Sequence, residues 1–163
     1  MSQFFDVHPD NPQPRLLKQA AQLLERGGVL AVPTDSSYAL VCHLDDKAAA
    51  DRLRRIRQVD DKHHLTLLCR DLSELASYAR VDNRQYRLLK LGTPGPYTFI
   101  LEATKEVPRR LSHPSRVLFA KAGVTTDGIR TTPLSGVSRH PMMLNMVDFP
   151  LPDGPTIASV SPA

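Results

Sequence analysis

Apolar residues recur at helical spacing near the start of the chain. They occupy every third or fourth position between Leu16 and Leu24, which is the period of a helix that buries one side. Asn11 belongs to a residue type that caps helix N-termini, and Pro12 fits a first helical turn. Two residues that favour termination, Gly27-Gly28, follow the apolar pattern. The pattern predicts an amphipathic helix that begins near Asn11 and ends at the glycine pair.

Four short apolar runs without helical spacing predict β-strands. They are bounded by polar or proline-containing segments and lie at 29–34, 38–44, 64–69 and 97–103. Helical patterns lie between several of these runs. Short strands that alternate with amphipathic helices are typical of an α/β sheet domain.

Acidic residues mark the starts of three further predicted helices. A carboxylate that precedes a helix accepts hydrogen bonds from the first backbone N–H groups of that helix. The pair Asp45-Asp46, Asp71 and Asp82 all stand in this position. We therefore expect helices after each of them, all within the first two-thirds of the chain.

The pattern changes abruptly near Arg116. The 47 residues that follow contain six prolines and four glycines, and no stretch among them keeps a period of 3.6 or 2. Proline lacks the N–H that a central strand or a helix interior requires. We expect a boundary there, with a largely irregular, loosely packed tail at 117–163. A frameshift, a truncation or a fusion near Arg116 is the simplest hypothesis for the change.

Length and composition exclude several classes of protein. A chain of 163 residues with 41% hydrophobic and 23% charged residues is of the size and composition of one globular domain. No apolar run reaches the ~18–20 residues that a membrane-spanning helix needs, and the N-terminus lacks the pattern of a secretory signal. Both cysteines, Cys42 and Cys69, lie in apolar runs, so we expect reduced core thiols in a cytoplasmic protein.

The positive charge is concentrated in the first 116 residues. The formal net charge is +4, and all of the excess lies there. The densest cluster falls in the predicted second helix and consists of Arg52, Arg54, Arg55 and Arg57. In that helix we expect a buried stripe of Ala49, Leu53 and Ile56, with the arginines mostly off it. Clustered arginines favour an anionic partner, because the guanidinium fork matches phosphate oxygens, although a solvated helix face has the same composition.

Residues with hydroxyl side chains lie at the end of the predicted strand 29–34 and just after it. The segment 33–40 reads PTDSSYAL, which places hydroxyl groups at a strand end, where α/β sheets commonly bind ligands. Two further segments follow in order, Arg55-Ile56-Arg57 and the run 94–101, PGPYTFIL. The chain contains no glycine-rich phosphate loop, no Cys pair at zinc spacing and no nucleophile-elbow motif.

This order of motifs resembles the YrdC/YciO family, which includes L-threonylcarbamoyladenylate synthase, and the YciO branch most closely. The resemblance implies an α/β fold with a twisted, open, mixed sheet of the YrdC-like type and helices packed on it. The family pattern is PTDT-x-YGLG, then K-x-R, then PG-x-x-T-x-IL. The resemblance implies ATP, L-threonine and bicarbonate as substrates, with Mg²⁺, and threonylcarbamoyl-AMP and pyrophosphate as products, for tRNA modification. It also implies a set of substrate or nucleotide contacts at Thr34, Tyr38, Arg55, Arg57 and Thr98. No catalytic side chain and no protein metal site is assigned, because positioning and fixed positive charge suffice for this reaction.

The chain departs from the family pattern at several positions. Ala39 and Val41 stand where the family has glycines, Gln58 replaces a proline, and Arg55 replaces a lysine. The later V-R-x-P and S-x-N motifs do not occur after Arg116. The resemblance therefore implies a partial YrdC-like domain at 1–116, whose sheet is incomplete at its C-terminal side, and predicts a synthase impaired by the loss of these motifs.

Two other hypotheses remain open from the sequence. The first is a double-stranded RNA or tRNA binding module without catalysis, whose phosphate contacts would be Arg52, Arg54, Arg84 and Arg87. The second is a non-functional fragment. A metal site at His63-His64 is disfavoured, because adjacent residues of an extended chain point in opposite directions.

Overall fold

The computed structural model describes seven segments of the chain, which contain four α-helices and nine β-strands. The segments are 2–8, 11–34, 38–61, 63–108, 117–122, 142–147 and 156–160. The helices are α1 (Pro14–Glu25), α2 (Lys47–Arg57), α3 (Leu72–Tyr78) and α4 (Asn83–Gly92). The first five strands are β1 (Phe4–Asp6), β2 (Val29–Pro33), β3 (Tyr38–His43), β4 (Thr66–Cys69) and β5 (Ala79–Arg80). The other four are β6 (Phe99–Ala103), β7 (Val117–Ala122), β8 (Met142–Val147) and β9 (Thr156–Val160).

The helix caps follow from local sequence. The side chains of Asp46, Asp71 and Asp82 each accept a backbone N–H from the first turn of α2, α3 and α4. At α4 the cap is reciprocal, because the Gln85 side chain accepts the backbone N–H of Asp82 at 2.9 Å. The predicted helix starts after these three aspartates are confirmed.

The first helix begins two residues later than the sequence pattern predicts. Gln13 is the N-cap and Pro14 takes the first helical position, so the prediction of Asn11 as cap is wrong. The Asn11 backbone N–H instead donates to His8 Nδ1, which holds that residue in the preceding loop. The C-terminal end agrees with the prediction, since Gly27 adopts a φ of +82° and the Gly28 N–H returns to the carbonyl of Leu23.

All nine strands form one mixed sheet in the order β1-β9-β2-β3-β8-β4-β7-β6-β5. Every ladder is antiparallel except that between β4 and β7, which is parallel. The prediction of an open mixed sheet with helices packed on it is therefore confirmed.

Helices cover both faces of the sheet. On one face α1 buries Leu17 and Leu24 against Val32 and Val41. On the other face lie α2, α3 and α4, and the alternate residue of β3, Leu40, belongs to that core. Leu40 and Val41 belong to cores on opposite faces of the sheet, because successive side chains along a strand point to opposite faces.

The segment beyond Arg116 supplies three strands to this sheet. β8 lies between β3 and β4, β9 lies between β1 and β2, and β7 lies between β4 and β6. The prediction that the tail cannot supply regular strands is therefore wrong for these three elements, and the sheet is not incomplete beside β6. The reason lies in the position of the prolines: Pro141 and Pro155 stand immediately before β8 and β9, where no ladder N–H is lost inside the strand. The boundary at 116 stays a prediction.

Candidate functional site

The PTDSSYAL segment connects two adjacent strands at one end of the sheet. Pro33, the last residue of β2, is the ladder partner of Tyr38, the first residue of β3. Thr34 follows Pro33, and both Thr34 and Tyr38 are 6% exposed. Residues 35–37 lie outside the described segments. The structure therefore brings Thr34 and Tyr38 to one strand-end edge, which we call the Tyr38 edge.

Helix α2 brings the arginine cluster back to the Tyr38 edge. Only residues 44–46 separate the end of β3 from the start of α2, so the helix must run back along the strand that it follows. Its 11 residues rise about 16 Å, close to the length of β3. Ala49 and Leu53 hold the helix on the sheet through a core shared with Leu40. Arg57, the last helical residue, consequently lies toward the Tyr38 edge.

Two arginines occupy the side of α2 that packs on the sheet. Ala50, Leu53, Arg54 and Arg57 recur at i, i+3, i+4 and i+7, which places them along one helical stripe. Arg54 is only 6% exposed, whereas Ile56 is 39% exposed. The expectation that the arginines lie off the buried stripe is therefore wrong for Arg54, and Ile56 is not part of that stripe. Ala49, Leu53 and Ile56 keep helical spacing as well, so spacing in the sequence alone did not distinguish the two helical phases.

Arg54 is held in the protein interior beside an acidic neighbour. Its Nη1 lies 3.7 Å from Asp51 Oδ1, and its side chain is 7% exposed. A buried guanidinium is rare and requires compensating polar contacts. Arg54 is therefore withdrawn from the surface, and its predicted role as an exposed nucleic-acid contact is not supported by its burial.

Arg57 presents a buried donor near the Tyr38 edge. Its side chain is half-buried, and its Nε atom is buried without a hydrogen bond to any described residue. A buried guanidinium N–H that lacks an acceptor is costly, by about 1–3 kcal/mol, and an anionic ligand would satisfy it. Arg55 is exposed and Arg52 is half-buried on other sides of α2. Arginines in the last turn also stabilise the negative end of the helix dipole.

The sheet register separates Thr98 from Thr34 and Tyr38. Starting at Phe99, ladder partners lead across the sheet through Ala120, Leu67 and Met143 to Cys42. Thr98 precedes Phe99 and is exposed, so it lies level with the far end of β3, four strands from Tyr38. That separation is about 19 Å across the strands alone. The structure does not bring Thr98 to the Tyr38 edge.

The remaining predicted nucleic-acid residues lie on α4. Arg84 and Arg87 are both exposed, three residues apart on one side of the helix. Arg87 Nε donates to the backbone oxygen of Asn83 at 3.3 Å. Leu89 is the buried residue of α4, so most of this helix surface faces solvent.

Potential metal and thiol ligands do not converge in the described residues. His63 and His64 are exposed, and no group of three or more His, Cys, Asp or Glu side chains with metal-binding geometry occurs there. Cys42 and Cys69 are buried thiols that are not joined in a disulfide, as predicted for core cysteines. Burial, and then the charges of Glu74 and Asp71, raise the pKa of the Cys69 thiol far above its ordinary value, so it is not an activated nucleophile.

Within the described segments, no helix has the length and apolar character needed to cross a bilayer.

Comparison with known proteins defines the family. The sequence model of the family Sua5_yciO_yrdC, described as "Telomere recombination", matches residues 22–146. The chain is 60% identical over 116 residues to "Uncharacterized protein YciO" of Escherichia coli (strain K12), a match that covers 71% of this chain and 56% of that protein. It is 28% identical over 130 residues to "Threonylcarbamoyl-AMP synthase" of Vibrio vulnificus (strain YJ016), covering 78% and 62% of the two chains. The chain belongs to the Sua5/YciO/YrdC family.

Solved structures agree with this assignment. The crystal structure of E. coli YciO matches with a TM-score of 0.79 and 48% identity over 89% of this chain and 69% of that chain. P. abyssi Sua5 complexed with L-threonine shares the fold, with a TM-score of 0.73 and 20% identity over 83% of this chain and 39% of that chain. The chain spans little more than half the length of the E. coli relative, so the activity of a whole family member is a matter for proposal.

Proposed function

We propose that this chain binds the phosphates of ATP at the Tyr38 edge and carries the substrate-binding part of a threonylcarbamoyl-AMP synthase. The observation that carries the proposal is the position of Arg57. It stands on the sheet-facing stripe of α2, where an aliphatic residue would complete the core, and its buried Nε has no acceptor among the described residues. A phosphate oxygen is the acceptor that matches this donor in charge and geometry.

The other residues of the Tyr38 edge have supporting roles in the proposal. Thr34 supplies a hydroxyl at the strand end, and the buried Tyr38 ring borders the proposed phosphate site. Arg55, exposed in the same turn as Arg57, adds positive charge where phosphates would gather. Thr98 is left outside this site, because the register places it at the opposite strand end.

The reaction fits a site built from cations and hydroxyl groups. The amine of L-threonine takes up bicarbonate as a carbamate, with loss of water. A carbamate oxygen then forms a bond to the α-phosphorus of ATP, and the bond to the β-phosphate breaks to release pyrophosphate. No side chain has to form a covalent bond, so fixed positive charge and orientation are the contributions expected from Arg57 and Arg55.

Magnesium enters this proposal as part of the substrate. Mg²⁺ prefers carboxylate and phosphate oxygens, and the described residues of the Tyr38 edge supply guanidinium and hydroxyl groups instead. They therefore fit MgATP, in which the phosphates hold the ion, and do not fit a separate metal site. The absent V-R-x-P and S-x-N motifs lead us to expect ATP binding with impaired turnover. A cytoplasmic location stays a prediction.

Calorimetric titration of the full chain with MgATP, in the presence and absence of L-threonine and bicarbonate, tests the proposal. Binding that is weakened in Arg57→Ala and retained in Arg15→Ala is expected, because Arg15 is an exposed arginine of α1. Pyrophosphate release measures turnover separately. Equal affinity of the two variants for MgATP would contradict the proposal.

A second candidate function is RNA binding through α4. Two exposed arginines, Arg84 and Arg87, lie on one side of a helix whose surface is mostly free of packing. Contacts from such residues to phosphates are sequence-independent and weaken steeply with salt. The affinity for double-stranded RNA or tRNA should then fall in Arg84→Ala and stay unchanged in Arg57→Ala. If RNA affinity were instead lost in Arg57→Ala and kept in Arg84→Ala, the Tyr38 edge and not α4 would be the site that binds anions.

A further inference from the structure

A pocket between the start of α3 and the helix α4 has the chemistry of a nucleotide site. Its volume is about 330 Å³, within the lower range of small-molecule sites. Cationic, hydroxyl and aromatic groups and one carboxylate line it, from Arg70, Asp71, Ser73, Tyr86, Lys90 and Thr93. It adjoins the carboxyl end of β4, whereas Tyr38 begins β3, so it lies at the other end of the sheet from the Tyr38 edge. We call it the α3–α4 pocket.

The one carboxylate in the lining is already compensated. Asp71 Oδ1 accepts the backbone N–H of Glu74 at 2.8 Å, and Asp71 Oδ2 accepts Arg70 Nε–H at 3.0 Å. Arg70 uses Nε for this bond, and its two Nη groups make no hydrogen bond to a described residue. The carboxylate therefore orients Arg70 and leaves the distal edge of the guanidinium to an outside acceptor.

Lys90 adds a second cation from the opposite wall. It is exposed on α4 and forms no ion pair with any residue of the described segments. Arg70 follows β4 and Lys90 lies on α4, so two different elements aim positive charge into one concave space. The neighbouring Glu74 carboxylate accepts the backbone N–H of Arg70 and is not part of the lining. With Asp71 compensated, the polar side chains that line the pocket are mainly donors, and they fit an anion such as a phosphate.

Tyr86 provides a flat apolar surface beside these cations. It lies one helical turn before Lys90 on the same side of α4 and is 45% exposed. Thr93, the C-cap of that helix, also lines the pocket and donates its hydroxyl to the Leu89 carbonyl at 2.7 Å. An exposed ring next to two cations can stack a nucleobase while its phosphate reaches the charged groups.

We propose that the α3–α4 pocket binds a nucleotide, with the phosphate on Lys90 and Arg70 and the base stacked on Tyr86. The nucleotide is either a free mononucleotide or one residue of a single-stranded RNA, since both present the same phosphate and base. This site is independent of the ATP site proposed at the Tyr38 edge, because the two share no residue.

Titration of the full chain with AMP tests the pocket, and it is carried out in the Arg57→Ala background to weaken binding at the Tyr38 edge. Lys90→Ala should weaken AMP binding by about 10- to 100-fold, which corresponds to one charged hydrogen bond. Tyr86→Leu should weaken it by about 5- to 100-fold, the range for one stacked base. Matched controls are Lys18→Ala, an exposed lysine on α1, and Tyr97→Leu, a tyrosine that is 59% exposed and outside the pocket.

A panel of ligands distinguishes a free nucleotide from an RNA strand and shows which results would overturn the proposal. Adenosine should bind at least tenfold more weakly than AMP, because it lacks the phosphate. Tighter binding of a 5′-phosphorylated oligoadenylate than of AMP, lost in Lys90→Ala, identifies the RNA strand as the source, and the reverse order identifies the free nucleotide. No detectable AMP or oligoadenylate binding at millimolar ligand, or equal binding by Lys90→Ala, Tyr86→Leu and their controls, overturns the proposal. The effect of Arg57→Ala on MgATP binding tests only the site proposed at the Tyr38 edge. The AMP titrations of the Lys90 and Tyr86 variants test only the α3–α4 pocket.

Discussion

Arg57 lies one helical turn beyond Leu53 on the sheet-facing stripe of α2. Leu53 is fully buried in the core, whereas Arg57 is half-buried and keeps its Nε inside the protein. The stripe therefore passes from apolar packing to positive charge within one turn. Because α2 runs back along β3, that charge lies toward the strand end where Thr34 and Tyr38 are buried.

The first prediction concerns the charge of Arg57. Arg57→Ala should lower the affinity for MgATP by about tenfold or more, as expected for a lost charged hydrogen bond to phosphate. The free energy of unfolding should change little, because the substitution also removes a buried donor without an acceptor among the described residues. Calorimetry and chemical denaturation measure the two quantities. A lower unfolding free energy with unchanged MgATP affinity would show that Arg57 is structural.

The second prediction concerns the apolar part of the same stripe. Leu53→Ala should lower the free energy of unfolding by about 2–5 kcal/mol, because it opens a cavity in the core that joins α2 to the sheet. The matched control is Ile56→Ala, which should cost much less since Ile56 is 39% exposed. Urea denaturation gives both values. Equal losses would mean that the helical phase described for α2 is wrong.

The third prediction concerns the reciprocal cap of α4. Asp82→Ala removes the acceptor of the Gln85 N–H, a bond of 2.7 Å, and should destabilise the protein by ~0.5–2 kcal/mol. Hydrogen exchange should accelerate first in α4. Asp61→Ala, in an exposed loop, serves as the control. Unchanged exchange in α4 after Asp82→Ala would contradict the role of the cap.

The fourth prediction concerns pH. The backbone N–H of Glu74, and next the side chain of Arg70, lower the pKa of Asp71 below its ordinary value. A depressed pKa stabilises the folded state above the ordinary carboxyl pKa, and this contribution is lost as pH falls through the folded value. Stability measured from neutral to acidic pH should therefore decline less steeply in Asp71→Ala than in the parent chain. Parallel curves would show that Asp71 does not couple folding to protonation.

The fifth prediction concerns the strands beyond Arg116. β8 pairs with both β3 and β4, so the amides that take part in its ladders should exchange slowly, as those of β3 do. Amide hydrogen exchange resolved by residue is the measurement. Exchange of 142–147 as fast as that of an unstructured peptide would refute the sheet order described here and return the tail to the irregular state that its sequence pattern predicts.

Local features of this protein are determined by short stretches of sequence. The caps at Asp46, Asp71 and Asp82, the end of α1 at Gly27 and the strand pattern of β2 and β3 all depend on neighbours within a few residues. Hydrogen bonds of this kind form with side chains that the sequence itself places next to the backbone. The ordered motifs also indicated the family, because they preserve residue types at fixed spacing.

Other features were decided by the tertiary structure alone. β8 and β9 enter the sheet between strands that are distant in sequence, and their short, proline-flanked segments carry no periodic signal of that pairing. The separation of Thr98 from Tyr38 depends on four successive ladders, none of which is local. The burial of Arg54 depends on which side of α2 packs against the sheet. Each of these features depends on contacts between distant parts of the chain, whose registers and orientations are fixed only when the whole sheet assembles.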